Sequence, residues 1–183
     1  MVKRVAITGY KSFELGIFKD NDPSVTIIKK VIQQRLEQYI DEGLEWVIIS
    51  GQLGIELWAG QVVIELKKEY PELQLAIIAP FIEQDSKWNE TNKLAYSTLI
   101  NAADYTNSVS HSPYESPQQF RDKDVFLIKN TDGALVIYDE EQEGGPKFIL
   151  KLMAKYAETT DYIIDQVDFF QLQDIASGDG FID

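Results

Sequence analysis

The chain of 183 residues is 44% hydrophobic and 26% charged, a composition typical of a globular domain and not of a disordered chain or a membrane protein. It contains no cysteine, which excludes disulfides, thiolate metal sites and cysteine nucleophiles. The net charge of -13 argues against nucleic acid as a partner, because phosphate contacts depend on lysine and arginine.

The N-terminal residues 1–9 have too short an apolar stretch for the core of a signal peptide. No apolar run approaches the roughly 18 residues that span a bilayer. We therefore expect a cytoplasmic protein that does not insert into a membrane.

Strand and helix signals alternate along the chain, which predicts one α/β domain over residues 1–183: a Rossmann-like, doubly wound, mostly parallel sheet with helices on both faces. The predicted strands are Lys3–Thr8, Trp46–Ile49, Gln74–Ala79, Asp104–Val109, Gly133–Tyr138 and about Tyr162–Val167. The predicted helices are Ser24–Glu42, about Ile55–Glu69, one from near Thr91, about Gln118–Lys129 and one from Pro146. The acidic segment 168–183 is expected to be a frayed tail.

The loop after the second predicted strand has the sharpest signal for a ligand, because ligands of doubly wound sheets bind beyond the carboxyl ends of the strands. Its glycines allow a close backbone approach to an anion, and the following helix start supplies free amides. It matches neither the dinucleotide fingerprint nor the P-loop, and an ordinary tight turn is the alternative. The loop consists of Ser50, Gly51, Gln52, Leu53 and Gly54.

Glu56 lies in the first turn of the helix that follows this loop. A carboxylate there would repel a phosphate unless it serves the sugar or a reacting atom. It either accepts a ribose hydroxyl, or acts at an anomeric carbon, or only favours the helix dipole by about 0.3 to 1 kcal/mol. If the protein is an enzyme, Glu56 is the candidate catalytic residue.

Other loops at the same edge add candidates. A second pair of glycines, Gly144 and Gly145, precedes Pro146 at a helix start, where neighbouring glutamates favour a sugar or base contact over a phosphate. Aromatic side chains can stack on a base or fill the core, and Trp58, inside a helix, is the one most expected in the core. The other aromatic candidates are Phe81, Trp88 and Tyr114.

His111 is the only histidine, which excludes a multi-histidine metal site, and we expect no metal. We predict that it is a partly buried, hydrogen-bonded loop residue rather than a ligand contact.

Several longer strings resemble one known family. The chain is similar over nearly its full length to the YpsA family of the SLOG superfamily, which also contains DprA and the LOG phosphoribohydrolases. The resemblance adds the first loop, Thr8, Gly9 and Tyr10, to the candidate site. The strings that carry it are Thr8-Gly9-Tyr10-Lys11, Phe13–Phe18, Asp41–Trp46, Ser50–Gly54, Glu56-Leu57-Trp58, Tyr114–Pro117 and Gly145-Pro146-Lys147.

The resemblance implies a Rossmann-like fold and a pocket around Gly51, Gly54 and Glu56 for a nucleotide derivative such as ADP-ribose or NAD. The family is also linked to bacterial cell-division control, which implies a protein partner, and an oligomer stays open. LOG enzymes have the motif Pro-Gly-Gly-x-Gly-Thr followed by glutamates, which this chain lacks. Our first hypothesis is therefore a ligand sensor, the second an N-glycosidic-bond hydrolase and the third a DprA-like binder of single-stranded DNA.

Overall fold

A computed structural model describes residues 2–179 of the chain. Within these residues, six strands form one all-parallel sheet in the order β4-β3-β2-β1-β5-β6. The strands are β1 Arg4–Gly9, β2 Trp46–Ile49, β3 Gln74–Ala79, β4 Tyr105–Ser108, β5 Gly133–Ile137 and β6 Ile163–Val167. The predicted Rossmann-like class is confirmed, and every predicted strand exists.

Helices cover both faces of the sheet, which explains why the inner strands are almost continuously apolar. The helices are α1 Pro23–Asp41, α2 Ile55–Leu66, α3 Glu90–Ala102, α4 Gln118–Lys129, α5 Pro146–Ala157 and α6 Phe169–Asp179. α1 contacts α2 and α6, and α2 contacts α3, so these four form one layer. α4 contacts α5 in the other layer.

The start of α1 follows the predicted chemistry. The Asp22 side chain accepts a hydrogen bond from the Ser24 amide at 2.9 Å, and Pro23 occupies the first helical position, where no amide donor is needed. The core-facing stripe of α1 is buried as its spacing predicts. Its buried residues are Val25, Ile28, Val31, Ile32 and Leu36.

The prediction of a frayed tail from residue 168 is wrong for the part of the segment that the structure describes. Residues Phe169–Asp179 form α6, which packs on α1. Phe169, Leu172 and Ile175 lie against the hydrophobic core. Apolar residues at steps of three outweigh the acidic composition, and residues 180–183 lie outside the described part.

No helix within residues 2–179 is both long and apolar enough to cross a bilayer.

Two aspartates fasten neighbouring strands where these begin. The Asp132 carboxylate, just before β5, accepts the amides of Lys3 and Arg4 at 3.0 and 2.9 Å. Asp104, just before β4, accepts the Leu75 amide of β3 at 2.8 Å and forms an ion pair with Lys67. These side chains set the strand register at the amino edge of the sheet.

The Asp104 carboxylate is more acidic than usual. Partial burial raises its pKa, but hydrogen bonds from Lys67 and from the Leu75 amide outweigh this effect, and the pKa lies below its ordinary value of 3.8.

Asp104→Asn is expected to lower the free energy of unfolding at neutral pH by about 1 to 2 kcal/mol, because Lys67 and the Leu75 amide lose a charged acceptor. Since the pKa is lower in the folded state, this stabilisation exists above the unfolded-state pKa and is lost as the pH falls through the folded-state pKa. Urea titrations of both proteins from about pH 7 to about pH 2 measure it. A difference that stays constant over this range contradicts the assignment.

A candidate ligand site at the carboxyl edge of the sheet

The loops that carry the predicted site residues all lie at one edge of the sheet, because its strands are all parallel. The loops after β1, β2 and β3 follow one another along this edge, and the loop after β5 lies on the other side of β1. From β1 the chain adds β2, β3 and β4 on one side, and then β5 and β6 on the other side. Doubly wound folds open a crevice where this order reverses, which here is between β1 and β5.

The Glu56 carboxylate fastens the carboxyl ends of β1 and β2 together. Its Oε1 accepts hydrogen bonds from the Ser50 amide at 2.7 Å and the Ser50 hydroxyl at 2.6 Å, and its Oε2 accepts the Thr8 hydroxyl at 3.3 Å. The residue is only 5% exposed. Three donors therefore satisfy a buried carboxylate, a structural role that sequence reasoning did not include.

Gly54 makes a close backbone approach, but to the chain itself. It has φ 96°, and a Cβ atom there would lie 2.5 Å from both the Ser12 amide nitrogen and the Tyr10 carbonyl oxygen. The next amide, of Ile55, donates to the Tyr10 carbonyl at 3.1 Å. Gly54 thus lets α2 pack tightly against the loop after β1, and its contact with an anion stays a prediction.

Other amides at this helix start have no hydrogen-bond acceptor among the described residues. Within residues 2–179, the amides of Gly51, Gln52 and Glu56 make no hydrogen bond, whereas the Leu53 amide donates to the Gln52 side chain at 2.9 Å. These free donors lie at the positive end of the α2 dipole. Such an arrangement suits an anionic group.

Gln84 and Tyr96 support the far side of the same loop. The Gln84 side-chain amide donates to the Ser50 carbonyl at 2.7 Å and to the Tyr96 hydroxyl at 2.9 Å. Gly51 has φ 82°, and a Cβ there would lie 2.7 Å from the Tyr96 ring. Sequence reasoning assigned no role to either side chain, because only the fold brings α3 and the loop after β3 beside β2.

Two groups of aromatic rings involve the loop after β3. The Trp88 ring is half-buried and packs edge-on against Tyr96, with ring centroids 5.3 Å apart. Phe81 contacts Tyr114 and Phe120, each with centroids 5.4 Å apart. The Tyr96 ring therefore lies between Trp88 and Gly51 and contacts both.

Trp58 is 3% exposed within α2, so its predicted place in the core is confirmed.

Tyr10 occupies the crevice between β1 and β5. Its side chain is 1% exposed, and its hydroxyl donates to the Gln142 carbonyl at 2.6 Å and accepts the Asp139 amide at 2.9 Å. Burial raises the pKa of this hydroxyl, so it stays protonated and can donate. The ring also contacts Tyr138 and Phe169. Gly9 lets α2 pack closely on the end of β1, since a Cβ there would lie 2.7 Å from the Ile55 side chain.

The second glycine pair contacts an anionic group of the chain itself, the Glu14 carboxylate. The Gly145 amide, at the start of α5, donates to Glu14 Oε2 at 2.8 Å, while Glu14 Oε1 accepts the Lys11 amide at 2.9 Å. A Cβ at Gly144 would lie 2.5 Å from Glu14 Oε2. Pro146 is buried behind this contact. The structure thus brings this loop against the loop after β1, and separates it from Ser50–Gly54 by Tyr10.

The loop after β4 is organised by Gln119, a buried residue that the sequence reasoning missed. Its side chain accepts the amides of Glu115 and Ser116 and donates to the Pro113 carbonyl, with distances from 2.7 to 3.1 Å. His111 in this loop is exposed and has no hydrogen bond within residues 2–179, so its predicted partial burial is wrong. No cluster of three metal-binding side chains is found among the described residues.

An all-parallel sheet covered on both faces, with a glycine loop leading from an inner strand into a helix, defines a Rossmann-like α/β protein. The family model for YpsA, described as the YspA SLOG family, matches residues 5–172. The chain therefore belongs to the YpsA family of SLOG proteins.

Similar proteins are named only as members of the UPF0398 group. One from Brevibacillus brevis is 50% identical over 176 residues, covering 96% of this chain and 94% of the relative. One from Staphylococcus haemolyticus is 52% identical over 173 residues, covering 94% and 92%. One from Lysinibacillus sphaericus is 52% identical over 170 residues, covering 93% and 95%.

Gly54→Ala is expected to lower the free energy of unfolding by more than about 2 kcal/mol, because the new methyl group meets backbone atoms and the backbone is left-handed. Gly16→Ala is the matched control: Gly16 has φ 67° but no atom within 4 Å of its Cβ position. It should cost only about 1 kcal/mol. Urea unfolding of both variants measures the difference, and equal losses would refute the close approach at Gly54.

Glu56→Ala is expected to cost about 2 to 4 kcal/mol in unfolding free energy, since the Ser50 amide and hydroxyl lose their buried acceptor. Glu56→Gln keeps one acceptor oxygen for Ser50 and an amide that can donate to Thr8, so it should cost less than about 1 kcal/mol. Thermal and urea unfolding compare the two. If glutamine costs as much as alanine, the negative charge itself is required for stability.

Proposed function

We propose that this protein binds a nucleotide derivative of the ADP-ribose or NAD type at the carboxyl edge of β2 and β3. The observation that carries the proposal is the set of free amides at Gly51, Gln52 and Glu56, beside a buried carboxylate and half-buried aromatic rings. A nucleotide offers a matching group for each: phosphate, ribose hydroxyl and base.

The phosphate interaction rests on backbone donors. No lysine or arginine lies in the Ser50–Gly54 loop, so amides and the α2 dipole supply the positive potential. A single phosphate or a diphosphate suits this arrangement better than a triphosphate, whose larger charge would face the Glu56 carboxylate.

The Glu56 carboxylate has room for one more donor. Within residues 2–179, its Oε2 accepts one hydrogen bond, a long one of 3.3 Å from the Thr8 hydroxyl. A carboxylate oxygen can accept two hydrogen bonds. A ribose hydroxyl is a donor of the required kind, and many dinucleotide sites place an acidic residue on it.

The aromatic rings supply stacking. Trp88 lies next to Tyr96, which itself contacts Gly51, and Phe81 and Tyr114 form a second aromatic pair in the loops after β3 and β4. Tyr114 is 53% exposed, so its ring face can meet a base.

Binding without turnover fits the position of Glu56 better than hydrolysis does. A glycosidase carboxylate must reach the anomeric carbon or the leaving group. Two donors from Ser50 fix Oε1, and Oε2 accepts Thr8, so the carboxylate has one acceptor position left for a hydroxyl and is not free to turn toward an anomeric carbon. We therefore propose a sensor that reports ligand occupancy to a protein partner, and its place in cell-division control belongs to the same proposal.

A thermal-shift titration with ADP-ribose, NAD and AMP tests the site. ADP-ribose or NAD should raise the melting temperature, because a ligand that binds only the native state stabilises it. Trp88→Leu should weaken the affinity at least about fivefold, the loss of one base stack. Trp46→Leu makes the same change at the amino end of β2 and should leave the affinity unchanged.

Glu56→Gln separates sensor from hydrolase in the same assay. A sensor whose Glu56 accepts a ribose hydroxyl should lose affinity, whereas a hydrolase should still bind but stop releasing free base, which chromatography detects. The proposal fails if none of the three ligands shifts the melting temperature, or if both tryptophan variants bind equally well.

A further inference from the structure

All charged residues of α5 are basic, although the protein as a whole is strongly acidic. Lys147, Lys151 and Lys155 follow one another at four-residue spacing, so they lie along one side of the helix. Pro146–Ala157 contains no acidic residue, although the chain as a whole has a net charge of -13.

Two of these lysines have no carboxylate partner among the described residues. Lys147 lies 3.4 Å from Glu143, one turn before it. Within residues 2–179, neither Lys151 nor Lys155 lies within 4 Å of a carboxylate, in contrast to the paired Lys67, Lys68 and Lys123. Internal ion pairing therefore does not account for the basic face.

Apolar groups adjoin the lysines. Phe148 is 65% exposed and Leu152 is 37% exposed, each directly after a lysine in the sequence. A cavity of about 470 Å³ adjoins the same lysines, between α5 and the edge strand β6. Its lining includes Lys147, Lys151, Ala154, Ile164, Gln166 and Glu140.

The one carboxylate of this lining is already engaged, since Glu140 accepts the Gln166 side-chain amide at 3.2 Å. The cavity thus combines an apolar floor with two ammonium groups at its wall. This surface, consisting of the α5 face Lys147–Lys155 and the adjoining cavity, is called the α5 surface below.

We propose that the α5 surface docks an acidic segment of a protein partner, one with glutamates or aspartates interspersed with apolar side chains. Charge complementarity carries the inference: carboxylates would pair with Lys151 and Lys155, and apolar side chains would cover Phe148, Leu152 and the cavity floor.

A protein segment fits the α5 surface better than a lipid membrane or a nucleic acid does. A membrane-binding helix lays a broad apolar face into the lipid, whereas the apolar face of α5 is buried in the core, including Ile149, Leu150 and Met153. The net charge of -13 repels both anionic lipid and nucleic acid over a wide surface. A narrow acidic segment meets only the local positive charge.

Fluorescence anisotropy with the intact protein tests the proposal. The probe is a fluorescein-labelled peptide of about twelve residues, made of glutamate and leucine in a two-to-one ratio. We expect saturable binding that weakens as the salt concentration rises from about 0.05 to about 0.5 M. K151E/K155E should reduce the affinity at least about tenfold.

K19E/K87E is the matched control, because it makes the same change in charge at two exposed lysines outside α5 and should leave the affinity within about twofold. Phe148→Ala leaves the charge unchanged and should still weaken binding, which plain ionic attraction would not produce. Circular dichroism confirms that each variant is folded.

Three results would overturn the proposal: no saturable binding of the peptide, equal losses in the two double variants, or tight binding of phosphatidylglycerol vesicles or oligothymidine in place of the peptide. None of these readouts uses ADP-ribose, NAD or AMP, so the result is independent of the site proposed at β2 and β3.

Discussion

The hydrogen bonds of the Glu56 carboxylate are the interaction on which the carboxyl edge of this protein depends. One side chain from the first turn of α2 reaches back to Ser50 at the end of β2 and across to Thr8 in β1. A buried carboxylate is stable only when donors surround it, so it fixes the positions of all three segments at once. The loop from Ser50 to Gly54 is consequently held in a shape in which the Gly51 and Gln52 amides donate to no other described residue.

The loop after β1 extends this arrangement to the other half of the sheet. The Tyr10 carbonyl accepts the Ile55 amide, and its hydroxyl donates to the loop after β5. Glu14 accepts the Gly145 amide at the start of α5. One short segment therefore joins both halves of the doubly wound sheet. It also fills the crevice where many proteins of this architecture bind their ligand. The neighbouring edge at β2 and β3 is therefore the place proposed for a ligand here.

Much of the fold could be predicted from the sequence because its signals are local. Four apolar residues at Trp46–Ile49, a glycine loop and a following helix define a strand, a turn and a helix without reference to the rest of the chain. α6 was missed because its acidic composition resembles a solvated tail, and its apolar residues gain stability only by packing on α1. Tertiary contacts, and not composition, therefore determine that this segment forms a helix.

The candidate site divides in the same way. The loop Ser50–Gly54 was predicted from its glycines, but the partners of those glycines could not be: Gly54 packs on Ser12, and Gly51 on Tyr96. Glu14 and Gln119 have no sequence signal, because each acts on a loop that only the folded chain brings near it. The identity of a glycine is visible in sequence, whereas the atom that it makes room for is not.

The central position of β1 has a consequence for how the chain acquires its structure. β1 pairs with β2 soon after it is made, but its other neighbour is β5, where Gly133 lies beside Val5. During synthesis, β1 to β4 can assemble while the far edge of β1 stays unpaired, exposing its backbone N–H and C=O groups to pairing with other chains. Pairing with β5 requires closure of most of the chain, a slow kind of contact. We therefore expect this protein to be most prone to aggregate before β5 is synthesised.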